Sequence, residues 1–285
     1  GGVELYQVER YRDPYGDREL LPRLAPPPLS PPQQEALDRL LALRKEAAPQ
    51  ALLYGVTGSG KTQVFLGLID RLLEEKKGVI VMVPEISLTP QTIRLFHQRF
   101  GKRVAVLHSS LSMSQRLDEW KRVRAGLADI VVGTRSAVFA PVQNLGAIIV
   151  DEEQEHTYRS QQSPRYDARE IARLRCRWAG GLLLLCSATP SLESFYAAQK
   201  GRMALVTLPQ RYGRASLPDV TILDMRQGAG EEGFSQLLLE EICQNLERGE
   251  QTILLLNRRG HSTQVKCMSC GAPALCPHCS IGMTY

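Results

Sequence analysis

"ALLYGVTGSGKTQVF", residues 51–65, decides the fold. An apolar run ends at Gly55. Val56, Thr57, Gly58, Ser59, Gly60, Lys61 and Thr62 then complete the spacing G-x-x-x-x-G-K-[ST]. The loop runs straight into "KTQVFLGLIDRLLEE", whose helical spacing puts Val64, Phe65, Leu68 and Leu72 on one face. Strand, glycine loop and helix in that order form the context in which such a loop binds phosphate. The glycines let backbone N–H groups curl around phosphate oxygens, and the helix N-terminus adds a favourable partial charge. Lys61 reaches the terminal phosphates and the Thr62 hydroxyl can ligate magnesium.

Working outward, short apolar runs alternate with longer amphipathic stretches. Strands are expected at "ALLYG", "GVIVMVP", "RVAVLH", "DIVVGT", "GAIIVD" and "LLLLCSAT", then at "VTILD" and "TILLLN". Helices are expected at "QQEALDRLLALRKEA", after the phosphate loop, and at "SQLLLEEICQNLERG". Continuous apolar strands between amphipathic helices predict a parallel sheet buried by helices on both faces, an α/β fold. No repeat of 20 to 50 residues is visible.

"GAIIVDEEQEH" sets Asp151 and Glu152 just beyond a buried strand, at the carboxyl edge where open α/β sheets bind ligands. The first carboxylate suits magnesium, and the second suits orienting or deprotonating the attacking water. With the phosphate loop, the pair predicts hydrolysis of a nucleoside triphosphate. "SATPS", 187–191, follows another strand with a short polar turn placed to sense the γ-phosphate. "VPEISLTPQ" (83–91) and "VVGTRSAVF" (131–139) also follow strands, where loop amides and Arg135 can hold a phosphodiester backbone, although ordinary loop capping accounts for either stretch taken singly.

The 285 residues predict roughly two domains, and 43% hydrophobic with 23% charged residues is ordinary for a globular chain. A net charge of +5 mildly favours an anionic partner. No apolar run approaches the roughly 18 residues that span a bilayer, and the N-terminus lacks a leader pattern, so a cytoplasmic protein without a membrane partner is expected. Seven cysteines, an odd number, fit metal binding or redox chemistry better than a disulfide framework.

The order of the motifs is more specific than any one of them. A helix with Gln33, then "GVTGSGKT", "VPEISLTPQ", "LHSSLSMSQR", "VVGTRSAVFAP", "NLGAIIVDEEQEHTYRSQQSPRYDARE", "CSATPS" and "LLLNRRG" with cysteine pairs behind it, resembles the PriA family of primosomal replication-restart helicases. These are superfamily 2 DNA motors, and the resemblance covers nearly all of residues 29–285. It implies a RecA-like P-loop NTPase sheet flanked by helices, part of a second RecA-like lobe, and a cysteine-rich zinc-binding insertion. The implied activity is ATP-dependent 3′-to-5′ unwinding of forked or single-stranded DNA in primosome assembly and restart of stalled forks. It implies ATP, Mg²⁺ and Zn²⁺, with primosome and single-strand-binding proteins as partners in a bacterial, nucleoid-associated setting.

Residue by residue, Gln33 would contact adenine, Lys61 and Thr62 the triphosphate and magnesium, and Asp151 and Glu152 would be metal carboxylate and catalytic base. "TYRSQQSPRY" (157–166) looks like the aromatic-rich loop coupling DNA contact to hydrolysis, with Tyr158, Arg159, Arg165 and Tyr166 stacking on bases or gripping phosphates. The family often reads Asp-Glu-x-His in the acidic motif. Here the fourth position is Gln154, with His156 two residues on. Gln still donates and accepts hydrogen bonds, so coupling can persist without a titratable group.

The organisation expected is a linker or remnant of an N-terminal DNA-binding region at 1–28 and an ATP-binding lobe at 29–210. The start of a second lobe follows at 211–260, reached through a hinge near 212–220, and a truncated cysteine cluster at 261–285. "CMSCGAPALCPHC" pairs Cys267 with Cys270 and Cys276 with Cys279. Its five-residue spacer is short for one tetrahedral zinc, and it offers no thioredoxin-like strand and helix. In the family, eight cysteines make two zinc sites. By that resemblance each pair here is half of a different site, and weak or heterogeneous zinc binding is expected.

The family's later glycine-rich motif and arginine finger are not in this sequence, and loss of such a finger costs about 10³ to 10⁵ in turnover. The expectation is a chain that binds nucleotide but hydrolyses it poorly; robust turnover stimulated by single-stranded DNA, measured on these 285 residues, would overturn it. Two other readings stand beside this one. One is a different superfamily 2 translocase, RecG-like or a restriction motor, and the other a non-catalytic zinc-bearing DNA or protein docking module.

Overall fold

The computed structural model describes residues 25–46, 49–211, 219–224, 234–255 and 269–270. The chain forms two compact units that divide between Ser216 and Leu217, inside the segment read as a hinge.

In the first unit, seven parallel strands run β1 (Gln50–Gly55), β2 (Gly78–Met82), β3 (Val104–Leu107), β4 (Ile130–Gly133), β5 (Leu145–Val150), β6 (Leu182–Ser187) and β7 (Ala204–Leu208). Their spatial order is β3-β4-β2-β5-β6-β1-β7. Helices α1 (Pro31–Leu43), α2 (Lys61–Glu74), α3 (Pro90–Phe100), α4 (Met113–Arg124), α5 (Ala168–Ala179) and α6 (Leu192–Gln199) supply the connections. Six expected strands therefore appear as parallel ladders, with Val79 through Met82 of β2 in register with Ala147 through Val150 of β5.

Alternation along each strand divides the core in two. Leu53, Val79, Val81, Val106 and Ile149 pack on one face with Leu40 of α1, Leu68 of α2 and Phe96 of α3. Leu52, Ile80, Met82, Val131 and Ile148 pack on the other with Val123 of α4, Ala172 and Cys176 of α5 and Ala198 of α6. Every residue of β2, β3, β4, β5 and β6 is buried. Each such aliphatic side chain contributes about 1.5–3 kcal/mol. Helix starts follow capping chemistry: Ser30 and Gln33 form a capping box before Pro31 of α1, Ser112 and Gln115 another before α4, and Asp167 caps α5.

The strand assignments from sequence need three corrections. "ALVTL" becomes β7 against β1, although Thr207 is exposed and the stretch lacks a continuous apolar core. Residues 220–224 of "VTILD" and 252–255 of "TILLLN" form no strand, and Leu256 and Asn257 lie outside the described residues. Apolar, β-branched composition yields a strand only where a neighbour completes its ladder, and among the described residues of the second unit there is none. That unit contains α7 (Gln236–Glu247), capped by Ser235, whose hydroxyl accepts from Leu238 N at 3.2 Å. Among the described residues, no helix is long and apolar enough to cross a membrane.

Candidate nucleotide and nucleic-acid site

All seven strands point the same way, and β5, β6 and β1 are neighbours. The acidic pair, "SATPS" and the phosphate loop therefore leave adjacent strands at one carboxyl edge, where such sheets bind ligands.

The loop after β1 turns through Gly58 (φ +79°) and Gly60 (φ +84°). A Cβ on Gly58 would meet nothing within 4 Å, whereas one on Gly60 would lie 2.2 Å from Gln33 Nε2. That closeness reflects bracing. Gln33 is 3% exposed, donates Nε2–H to the Ser59 carbonyl at 3.0 Å, and accepts from Ser30 N through Oε1 at 3.0 Å. Lys61 donates to the carbonyls of Gly55 at 2.7 Å and Val56 at 3.5 Å, so its ammonium sits inside the loop. The Ser59 hydroxyl is buried with no partner. A buried orphan hydroxyl, the N–H groups of a glycine turn at a helix start and a lysine held on exchangeable carbonyls are a donor set for phosphate oxygens. Beside them, Ser30, Pro31, Gln33, Ser59, Leu208 and Arg211 help line a cavity of about 310 Å³.

Asp151 continues β5, donating its N–H to Met82 O at 2.9 Å. Burial, with the neighbouring Glu152 charge second, pushes its carboxyl up to about 6. Glu152 takes φ +45°, a conformation that non-glycine residues rarely hold and that clusters at functional sites. Its Oε2 accepts from Gln154 Nε2 at 2.8 Å, Gln154 Oε1 accepts from Ser187 Oγ at 2.6 Å, and Ser187 Oγ accepts from Thr189 N at 2.9 Å. Gln154 thus joins the acidic pair to the turn after β6. His156 is exposed at the start of a 3₁₀ turn, so the fourth position of the acidic motif, and not the later histidine, makes this contact.

Sequence reasoning missed Glu153, which is fully buried. Its Oε1 accepts from Ser191 N at 2.6 Å, and its Oε2 from Ser194 Oγ at 2.9 Å. Arg169 donates to the Glu153 carbonyl at 2.7 Å and grips Asp167 with Nε and Nη2 at 3.0 and 2.7 Å. Burial pushes the Asp167 carboxyl up, but its bonds to Arg169 and Arg159 more than offset this and hold it low. The only trace in the sequence is a third acid beside the expected two, with a helix-capping serine at 191 and a second serine at 194.

The residues expected to meet DNA separate into two groups. Tyr158 is a correction: it is 1% exposed and its hydroxyl donates to Asp151 O at 2.6 Å and Met82 O at 3.1 Å. A ring enclosed by the core cannot stack on a base; it pins the acidic strand end to β2. Arg135 is half-buried, donates to the carbonyls of Arg159 at 2.8 Å and Thr157 at 3.3 Å, and lies over the Tyr166 ring at 5.9 Å. Tyr166 packs edge-on against Phe139. Arg159 is exposed and paired with Asp167 at 3.1 Å, and Arg165 is exposed. Residues 159 and 167 form an antiparallel bridge and Ser160 N donates to Tyr166 O at 2.7 Å, so the segment stands out as a closed loop. Nearby strand ends frame a groove of about 300 Å³ lined by Glu85, Leu88, Pro90, His108, Ser110 and Thr134. It gathers "VPEISLTPQ", "LHSSLSMSQR" and "VVGTRSAVF" at one edge.

Of the four expected zinc ligands, Cys267, Cys276 and Cys279 lie outside the described residues, and Cys270 is exposed and free of disulfide. Among the described residues, no group of three or more His, Cys, Asp or Glu is placed to hold a metal.

Residues 30–197 match the family described as DEAD/DEAH box helicase. The chain is 44% identical over 281 residues to the replication restart protein PriA of Bacillus subtilis, covering 97% of this chain and 35% of that protein. It is 45% identical over 234 residues to PriA of Haemophilus influenzae, covering 82% and 32%. It thus spans about a third of the length of the curated relatives it matches. Among solved structures, RecG bound to a three-way DNA junction has a TM-score of 0.57 at 24% identity, over 79% of this chain and 29% of that one; this likeness is one of fold. With more than half of its length matched, and the phosphate loop, acidic pair and "SATPS" on adjacent strands, the chain belongs to the DEAD/DEAH box helicase family.

Proposed function

We propose that this chain is the ATP-binding part of a PriA-type helicase that uses ATP hydrolysis to move 3′-to-5′ on forked or single-stranded DNA during replication restart. The observation that carries the reading is the junction of the acidic pair and "SATPS" through Gln154, which contacts both Glu152 and Ser187. Identity of 44% to PriA of Bacillus subtilis supports the restart assignment over a RecG-like or restriction motor.

The donor set fits a magnesium nucleotide, since Asp151 and Thr62 offer hard oxygen ligands beside the orphan Ser59 hydroxyl. Asp151 and Thr62 would hold the ion, which would supply neutralisation of charge on the phosphate oxygens. Lys61 exchanges its carbonyl contacts for phosphate, and the loop amides orient the chain of phosphates. Glu152 orients the attacking water and takes up its proton at a carboxylate oxygen, with Gln154 Nε2 fixing the carboxylate. Adenine lies in the cavity beside Gln33, where its contact is to the edge of an amide already braced by Ser30 and Ser59. Arg135, Arg159, Arg165 and Tyr166 form the DNA-facing side. Zinc held by Cys267/Cys270 and Cys276/Cys279 as halves of two sites, and primosome and single-strand-binding proteins as partners in the bacterial cytoplasm, belong to the same proposal.

The test is titration with a fluorescent ATP analogue and with single-stranded DNA, on wild type and Lys61→Ala. Nucleotide affinity should fall at least tenfold in the variant, and DNA affinity should respond to nucleotide only in the wild type. DNA affinity indifferent to both nucleotide and the substitution would favour the docking module instead.

A further inference from the structure

We infer that Glu153 is a positioning residue that joins the turn after β6 to the neck of the 159–167 loop, so that filling the nucleotide pocket changes the loop on the DNA-facing side. The inference rests on the reading of the site as an ATP-driven DNA motor.

A fully buried carboxylate is costly unless every lone pair is engaged, and an apolar residue would serve packing better. Glu153 meets that condition by reaching two elements at once. On one side it accepts from the Ser191 N–H at 2.6 Å, the Ser191 hydroxyl at 3.2 Å and the Ser194 hydroxyl at 2.9 Å, which fixes the far end of "SATPS" and the start of α6. Gln154 fixes the near end through Ser187. Two consecutive residues thus clamp both ends of the turn that faces the phosphate loop, and both follow Glu152 in a tight turn.

On the other side, Arg169 donates to the Glu153 carbonyl at 2.7 Å and lies 3.8 Å from its carboxylate. The rest of that guanidinium is a fork on Asp167, whose Oδ2 also accepts from Arg159 at 3.1 Å. Arg159 and Asp167 face each other across the bridge that closes the loop. Any displacement of Ser191 therefore reaches the loop neck through one carboxylate and one guanidinium. A tightly filled interior would resist such movement. Here Glu153, Arg169, Ser191 and Ser194 border a cavity of about 160 Å³ that leaves them room. Proximity alone does not establish coupling, so the measurement must read a response and not a level.

That measurement is hydrogen exchange across residues 156–167, with and without a non-hydrolysable ATP analogue and magnesium, with nucleotide affinity followed separately by fluorescence. Wild type should show a nucleotide-dependent change in this segment. Ser194→Ala, which removes one hydroxyl and leaves the buried charge pair intact, should lower the response at least threefold, and Ser194→Thr should restore it. Glu153→Gln should abolish it. A response undiminished in both Ser194→Ala and Glu153→Gln, or absent in nucleotide-bound wild type, overturns the inference while leaving the motor reading in place. Wild type that binds no nucleotide removes the motor reading, and the inference with it.

Discussion

Asp151 shows how strongly one residue feels its position. Its carboxyl, raised from 3.8 to about 6 by burial and then by Glu152, holds its proton more tightly in the folded chain than in the unfolded one. Stability is therefore lost as pH rises through about 4 to 6, and the cost is fully present above it. Without nucleotide or magnesium, Asp151→Asn should melt close to wild type at pH 4 and be more stable at pH 8, by up to about 3 kcal/mol. A difference that does not vary with pH would contradict this. Tyr158→Phe should destabilise the chain by about 1–3 kcal/mol in chemical denaturation, because it strips a donor from two carbonyls; unchanged stability would show that the hydroxyl does not pin the acidic strand end. The placement of Lys61, Thr62, Asp151 and Glu152 beyond the ends of β1 and β5 was legible because it is set by neighbours in the chain. Tyr158 and Glu153 were not, because their partners Met82 and Ser194 lie 76 and 41 residues away.

At the scale of elements, α1 and the phosphate loop behave as one piece. Gln33 closes the capping box of α1 and holds the Ser59 carbonyl with the other end of its amide. A methyl at position 60 would both collide with that amide and face a left-handed backbone. Gly60→Ala should cost about 1–3 kcal/mol in thermal melting and weaken binding of the ATP analogue; unchanged melting and binding would show that α1 and the loop move independently. Strands were legible where the apolar run was continuous and flanked by helices. Strand β7 was missed because one face is exposed at Thr207, and 220–224 and 252–255 were assigned to strands because composition does not reveal whether a partner exists.

At the scale of the molecule, the net charge of +5 matters only where it is delivered. Arg135 is engaged with loop carbonyls, whereas Arg165 is exposed at the end of the closed loop. Single-strand affinity should fall with salt, and Arg165→Ala should reduce the slope of log affinity against log salt by about 0.7, one phosphate contact. An unchanged slope would place the DNA elsewhere. Since every strand of the sheet is parallel, the turns entering β2, β4, β6 and β7, at Lys76, Gly126, Gly180 and Gly201, all lie on the edge opposite the three motifs. That edge is a handle: a dye, a surface tether or an inserted tag attached there would report on or restrain the protein while leaving the working edge open to its ligands.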